Sequence, residues 1–201
     1  LKTEMVHQYG ENSFRLYRLP VPKKGVVTGI LGPNGIGKST AIKMLSGIEI
    51  PNLGRYDDPP SKEEVLQHFA GTEMHDYLQN VYDGKIKTAT KPQYVDKLPS
   101  QVKGVVRDLL SKVEERMTVE EAAKEFDLTE VLDRELSKLS GGELQRLAMA
   151  ATMMKDVDVY FFDEPSSYLD IYQRVKMARQ IKALSETKQV VVIEHDLAIL
   201  D

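Results

Sequence analysis

The sequence contains no cysteine and no tryptophan. Without a thiol, disulfides, iron–sulfur clusters and cysteine-type zinc sites are excluded within this chain, which fits a reducing compartment. No apolar run approaches the ~20 residues needed to span a bilayer, and Leu1 opens no signal-peptide pattern. The chain therefore reads as cytoplasmic and off the membrane, and its start without Met reads as a segment of something longer. Neither sign of charge dominates: 27 Lys and Arg against 31 Asp and Glu leave a net charge of −4. That excludes a chain that is basic overall, while leaving room for a local basic patch. What remains is the ordinary make-up of a globular chain of 201 residues, 41% apolar and 29% charged, long enough for one sizeable core.

The chemistry concentrates first in residues 25–46, GVVTGILGPNGIGKSTAIKMLS. Its opening is β-branched and apolar, which predicts a strand buried on both faces. Residues 32–39 then match G-x-x-x-x-G-K-[ST] at every fixed position, and a helix follows with Ile42, Met44 and Leu45 facing inward. Strand, glycine loop and helix form the context in which this motif holds a phosphate. Glycines let the backbone wrap the anion without Cβ clashes, and the loop N–H groups and helix N-terminus present positive potential. Asn34, Gly35, Ile36, Gly37, Lys38, Ser39 and Thr40 are the expected phosphate-binding residues. Lys38 would bridge the β- and γ-phosphates, and the Ser39 hydroxyl would ligate Mg²⁺. The chain thus binds a nucleoside triphosphate.

Before this stretch, residues 14–20 read as a strand punctuated by Pro20 and Pro22. Adenine needs a flat apolar surface, and Tyr9, Phe14 and Tyr17 compete to supply it. After it, residues 52–60 read as loop. Ser61 and Glu64 then form a capping-box pattern opening a helix–loop–helix over 61–83, with Gly71 between the helices. His68 and His75 on these helices lack a third ligand and read as solvated. Residues 85–89 predict a strand that delivers Lys91-Pro92-Gln93-Tyr94-Val95-Asp96. An amphipathic helix is expected over 101–116, a short one from Thr118 through Phe126, and another over 128–136.

Ser140 is the N-cap candidate of the next helix, with Glu143 as its reciprocal partner in Leu139-Ser140-Gly141-Gly142-Glu143. Two glycines in a first turn cost ~1 kcal/mol each against Ala, which makes sense where a ligand must approach the backbone. Residues 157–162 predict a buried strand ending on Asp163 and Glu164. Asp163 is suited to hold Mg²⁺ through its water shell, and Glu164 to orient or deprotonate an attacking water. A helix over 171–184 and a last buried strand over 189–193 lead to Glu194-His195-Asp196, a polar cluster where ligands sit in open parallel sheets.

The glycine loop, Gln93 after a strand, LSGGE at 139–143, the Asp163–Glu164 pair and His195 together resemble the nucleotide-binding domain of ABC-type ATPases over nearly the whole chain. The resemblance implies a P-loop α/β fold with a mostly parallel sheet core and a helical subdomain, here 101–155, carrying the signature motif. It implies catalytic roles for Glu164, His195 and Gln93, with Gln93 also contacting Mg²⁺ beside Ser39 and Asp163. Ser140, Gly141, Gly142 and Glu143 would form the signature that meets the γ-phosphate of a partner domain's ATP. Residues 166–170 (SSYLD) match the loop that crosses between paired domains.

More finely, KPQYVD at 91–96, LSGGELQR with DEPSSYLD, YRLPVP before the P-loop strand and EHDLAILD at the end resemble the E subfamily of ribosome-recycling factors. That likeness implies ATP hydrolysis driving head-to-tail closure and opening of paired domains to split ribosomal subunits. It points to Tyr9 and Phe14 for the adenine and to 61–83 as a contact with the small subunit and its ribosomal RNA. A second nucleotide-binding domain, from the same longer chain or a second copy, and a release factor are the implied partners. The subfamily's cysteine-rich cluster domain and second ATPase domain have no counterpart here. The chain thus reads as a C-terminally incomplete first domain with weak or no turnover alone. Two rival expectations are the ATP-binding subunit of a membrane transporter, and an ATP-gated ribosome-binding module with little hydrolysis.

Overall fold

The computed structural model describes residues 5–11, 15–31 and 36–194. The chain divides into two compact units, Leu1–Pro22 with Ile30–Lys87, and Lys23–Gly29 with Thr88–Asp201.

The first unit opens on two very short antiparallel strands, β1 (His7–Gln8) and β2 (Arg15–Leu16). The strand expected over 14–20 is therefore only two residues long within the described residues. Its partner β1 offers only His7 and Gln8 to pair with. The strand of the glycine-loop motif, β3 (Val27–Leu31), whose first three residues belong to the second unit, precedes α1 (Ile36–Leu45) in the chain. Ile42, Met44 and Leu45 are buried, as their spacing predicts. At the end of α1, Gly47 adopts φ +76°, and a Cβ there would lie 2.7 Å from Val81 Cγ1. Only glycine fits that close approach. Two helices follow, α2 (Lys62–His68) and α3 (Glu73–Tyr82). Ser61 and Glu64 form the reciprocal capping box of α2, Thr72 caps α3, and Gly71 turns between them at φ +77°. Val65, Met74 and Leu78 are buried, and the Tyr77 hydroxyl donates to the Leu45 carbonyl at 2.7 Å.

The second unit is built on a sheet of order β3-β6-β5-β4, with β4 at Thr88–Lys91, β5 at Val159–Asp163 and β6 at Gln189–Glu194. β4, β5 and β6 run parallel, Thr88 beside Val159 and Val159 beside Gln189. β5 is buried along its whole length, the pattern of a parallel strand covered on both faces. β3 differs from expectation. It is the terminal strand of the order, and Val27, Thr28 and Ile30 are half-buried while Gly29 is exposed.

Around the sheet lie α4 (Leu98–Gln101), α5 (Val106–Ser111), α6 (Val119–Glu125), α7 (Gly141–Met154) and α8 (Ile171–Ser185). Apart from α4, which buries no residue, their apolar faces close one core with the strands, including Leu110, Phe126, Leu147, Met153, Tyr160, Phe162, Ile181 and Val192. Thr118 with Glu121 and Ser140 with Glu143 form the expected capping boxes.

Three further expectations are corrected. The strand placed at 85–89 forms at Thr88–Lys91. The helix over 101–116 is broken after Gln101, because Gly104 sits at φ +123° and Val105 is extended in a bridge with Glu135. Residues 128–136 form no α-helix; 3-10 turns occupy Thr129–Val131 and Leu136–Lys138.

Candidate functional site

In the first unit, α1 begins inside the glycine-loop motif, so Gly37, Lys38, Ser39 and Thr40 occupy its first turns. Lys38 and Thr40 are buried and Ser39 is half-buried. A cation at a helix N-terminus opposes the macrodipole, an arrangement that a bound polyanion offsets. Asn34, Gly35 and Phe14 lie outside the described residues, as does the side chain of Ile36.

Tyr9 is fastened to the same helix. Its hydroxyl lies 3.0 Å from Thr40 Oγ1 and donates to Glu49 Oε2 at 3.2 Å. Its ring stays 39% exposed, edge-on to His7 at 4.7 Å between centroids. A ring anchored at its polar end and open on a face can serve as a stacking surface. Tyr17, also part-exposed, has no such anchor to α1 among the bonds of the described residues. The segment bearing Tyr9 is held by Asn52, whose Oδ1 accepts the Gln8 N–H at 3.0 Å and whose own N–H donates to His7 Nδ1 at 3.2 Å. Because Nδ1 accepts, the neutral imidazole carries its proton on Nε2, which faces Glu49 Oε1 at 3.4 Å. Burial lowers the His7 pKa, opposed by the Glu49 charge.

In the second unit the parallel strands end together, the arrangement in which open α/β sheets present ligand-binding residues. β5 closes on Asp163 and Glu164, both buried. Glu164 stands at φ +50°, a left-handed conformation that non-glycine residues adopt at a cost and that clusters at functional sites. Its N–H donates to the Ile193 carbonyl at 2.8 Å. Gln93 sits half-buried in the bend after β4. His195 lies outside the described residues, but Glu194 before it is buried, and its Oε1 accepts the Ser166 N–H at 2.8 Å.

The signature residues sit at the start of α7. Ser140 N–H donates to Glu143 Oε1 at 2.8 Å, and Glu143 N–H to Ser140 Oγ at 3.2 Å. The hydroxyl oxygen is thus an acceptor within the cap, and its proton is left to donate outward. The same Ser140 N–H lowers the Glu143 pKa, with Arg134 at 3.4 Å adding to it. Gly141 and Gly142 have a second reason to be glycine. A Cβ on Gly141 would meet the Tyr168 ring at 2.9 Å, and one on Gly142 the Tyr168 carbonyl oxygen at 3.1 Å. The loop after Glu164 therefore packs directly on the signature turn.

Two residues here were not singled out from sequence. Lys91, fully buried at the end of β4, donates through Nζ to the Asp163 carbonyl at 2.7 Å and the Glu164 carbonyl at 3.4 Å. Burial lowers its pKa to about 8, against the pull of Asp163, Glu194 and Glu164. Gln145, fully buried on α7, donates through Nε2 to the Glu164 carbonyl at 2.8 Å. The alternation of β4 carries a faint signal for the first, since Lys91 shares the buried face of Ala89.

Residues 22–167 match the model of the ABC transporter family. The chain is 49% identical over its full length to ABC transporter E family member 1 of Arabidopsis thaliana, of which it covers 34%. Among solved structures it is similar to an archaeal ribosome recycling factor, aABCE1, in complex with the archaeal ribosomal stalk protein aP1. There the identity is 53% and the TM-score 0.91, over 100% of this chain and 38% of that one. It is likewise similar to ABCE1 in a model of ribosome-bound archaeal Pelota and ABCE1, at 55% identity and a TM-score of 0.89, over 98% of this chain and 33% of that one. The chain spans about a third of the length of the curated relatives it matches.

Proposed function

Because the chain belongs to the ABC transporter family, we propose that it is an ATP-binding domain whose hydrolysis of ATP opens and closes a pair of such domains in a ribosome-recycling protein. The observation that carries this is the buried Asp163–Glu164 turn at the end of β5, with Glu164 held at φ +50°. Two adjacent buried carboxylates at the ligand end of a parallel sheet are costly as structure alone. They suit a site where one orients an attacking water and the other holds a cation.

Tyr9 is the adenine surface and Lys38 the phosphate cation. Ser140, Gly141 and Gly142 offer a hydroxyl proton and N–H groups to the ATP of the paired domain, and Gln93 and His195 respond to the γ-phosphate. Glu164 orients the water and takes its proton. Among the described residues no three His, Asp or Glu gather as a cation cage. Ser39, Gln93 and Asp163 each carry a hard oxygen of the kind Mg²⁺ takes, and that ion leaves most of its shell to water and substrate phosphates. When bound, Mg²⁺ supplies neutralisation of charge developing on the transferred phosphoryl group.

The similarity to the ribosome-bound and stalk-bound recycling factors supports a ribosomal setting. Helices α2 and α3 are then the contact to the small subunit and its RNA, with a release factor as a further partner. Neither helix, nor any other among the described residues, is long and apolar enough to cross a membrane, and a cytoplasmic location follows from this setting. Glu164→Gln tests the reading. The variant is expected to bind ATP as the unaltered protein does, to release no phosphate, and to co-sediment with small ribosomal subunits only when Mg-ATP is present. Normal turnover would remove Glu164 from its role, and sedimentation indifferent to nucleotide would remove the ribosomal one.

A further inference from the structure

We infer that Lys91 and Gln145 are positioning residues that aim the Glu164 carboxylate, an inference that rests on the proposed ATPase reading. The direction of a side chain leaving the backbone is set by the two peptide planes that flank its Cα. Around Glu164 both planes are held. The preceding peptide is gripped at each end, its carbonyl oxygen by Lys91 Nζ at 2.7 Å and its N–H by the Ile193 carbonyl at 2.8 Å. The following carbonyl accepts from Gln145 Nε2 at 2.8 Å and from Lys91 Nζ at 3.4 Å. These groups come from three different elements, β4, β6 and α7, and both donor side chains are fully buried. The residue so gripped is one of four non-glycine residues at positive φ among those described, a conformation that persists only where the surroundings over-determine it.

Gln145 also carries a mark against a purely structural part. Its Oε1 is buried with no hydrogen-bond partner among the described residues. A buried unpaired acceptor is a liability for stability, so an apolar residue of the same shape would serve packing better. What such a residue lacks is the Nε2 donor to Glu164. Gln145 stands on α7 one turn beyond the signature cap Ser140, so the helix that carries the signature also holds the neighbouring base.

The distinguishing variant is Gln145→Met, which removes donor and orphaned acceptor together while keeping length and volume, with Lys91→Met as its companion. Turnover is measured on the protein at its full natural length, per bound nucleotide, so that a partly folded preparation does not imitate lost catalysis. ATP affinity and thermal midpoint are measured alongside. Gln145→Met is expected to lower kcat by ~10²-fold, the scale of a misplaced reacting group. ATP affinity should stay within about twofold and the thermal midpoint should not fall, since a packing role would couple stability to the loss and a positioning role does not. Unchanged kcat in an otherwise active protein overturns this inference alone. Loss of ATP affinity and thermal midpoint in step with kcat also overturns it, reducing both residues to bracing. An unaltered protein without ATPase activity overturns the proposed function and this inference with it.

Discussion

At the scale of single residues, the chain places polar groups where only a particular protonation state is tolerated. His7 is the clearest case. Its Nδ1 is needed as an acceptor for Asn52 N–H, so protonation on that atom breaks a buried bond. Burial accordingly holds its pKa below the ordinary value near 6.5, with Glu49 only partly opposing. A histidine depressed in the folded state contributes stability that is complete above its unfolded pKa and is lost as pH falls through the folded value. The thermal midpoint should therefore drop more between about pH 7 and about pH 5 in the unaltered chain than in His7→Asn, whose amide oxygen can stand in for Nδ1 without titrating. Equal drops in the two would show that His7 takes up its proton over the same pH range folded as unfolded, so that its burial does not shift it. Lys91 and Gln145 illustrate why such residues escape a reading of sequence. The carbonyls they grip lie 72 and 19 positions away along the chain, and nothing local marks a lysine or glutamine as a backbone clamp. Lys38, Ser39, Asp163 and Glu164, by contrast, stood out because each ends a buried strand or begins a helix within one short motif.

At the scale of elements, local chemistry set most boundaries. Three capping boxes, at Ser61, Thr118 and Ser140, start helices where their patterns place them. The failures occur where a distant partner intervenes. Residues 101–116 have helical spacing of valines and leucines, yet Gly104 and the bridge of Val105 to Glu135 cut the helix to six residues. Around 127 the chain turns at Asp127, φ +53°, where Arg146 donates to the Phe126 carbonyl at 3.1 Å and also to the Asp127 carbonyl. Asp127 Oδ2 in turn accepts from Gln173 and Lys176, both on α8, which holds the chain in the turn that ends α6, as the sequence places it. The signature turn gives an element-scale prediction. Replacing either Gly141 or Gly142 by Ala gains up to ~1 kcal/mol in helix propensity, but overpacking costs ~1–3 kcal/mol. At Gly141 the obstacle is the ring of Tyr168, a 56%-exposed side chain that can swing aside. At Gly142 it is the Tyr168 backbone carbonyl, in a residue already at φ +64°. Denaturant unfolding should therefore find Gly142→Ala clearly less stable than Gly141→Ala. Equal stabilities would mean that the loop after Glu164 yields as easily as a side chain.

At the scale of the molecule, the proposed function requires that the chain associate with a second nucleotide-binding domain. The N-terminal cap of α7 presents Ser140 exposed, with its hydroxyl oxygen accepting the Glu143 N–H and its proton not used in that bond. On the proposed reading, this cap would meet a phosphate from outside, which would make nucleotide the adhesive between two domains and hydrolysis the step that releases them. An intact γ-phosphate should therefore hold the pair together, most visibly when hydrolysis is stalled. Light scattering on Glu164→Gln should find the 22.7 kDa chain monomeric without nucleotide and doubled in mass with Mg-ATP. ADP should leave it monomeric, since the bridging phosphate is missing. Ser140→Arg should abolish the doubling while leaving ATP binding intact, because it obstructs the cap of α7 and leaves Lys38 and Tyr9 unaltered. A mass that stays single with ATP demonstrably bound would assign the complementary surface to a different domain rather than to a second copy. A mass that doubles equally with ADP would detach association from the γ-phosphate altogether, and with it the idea that hydrolysis separates the pair.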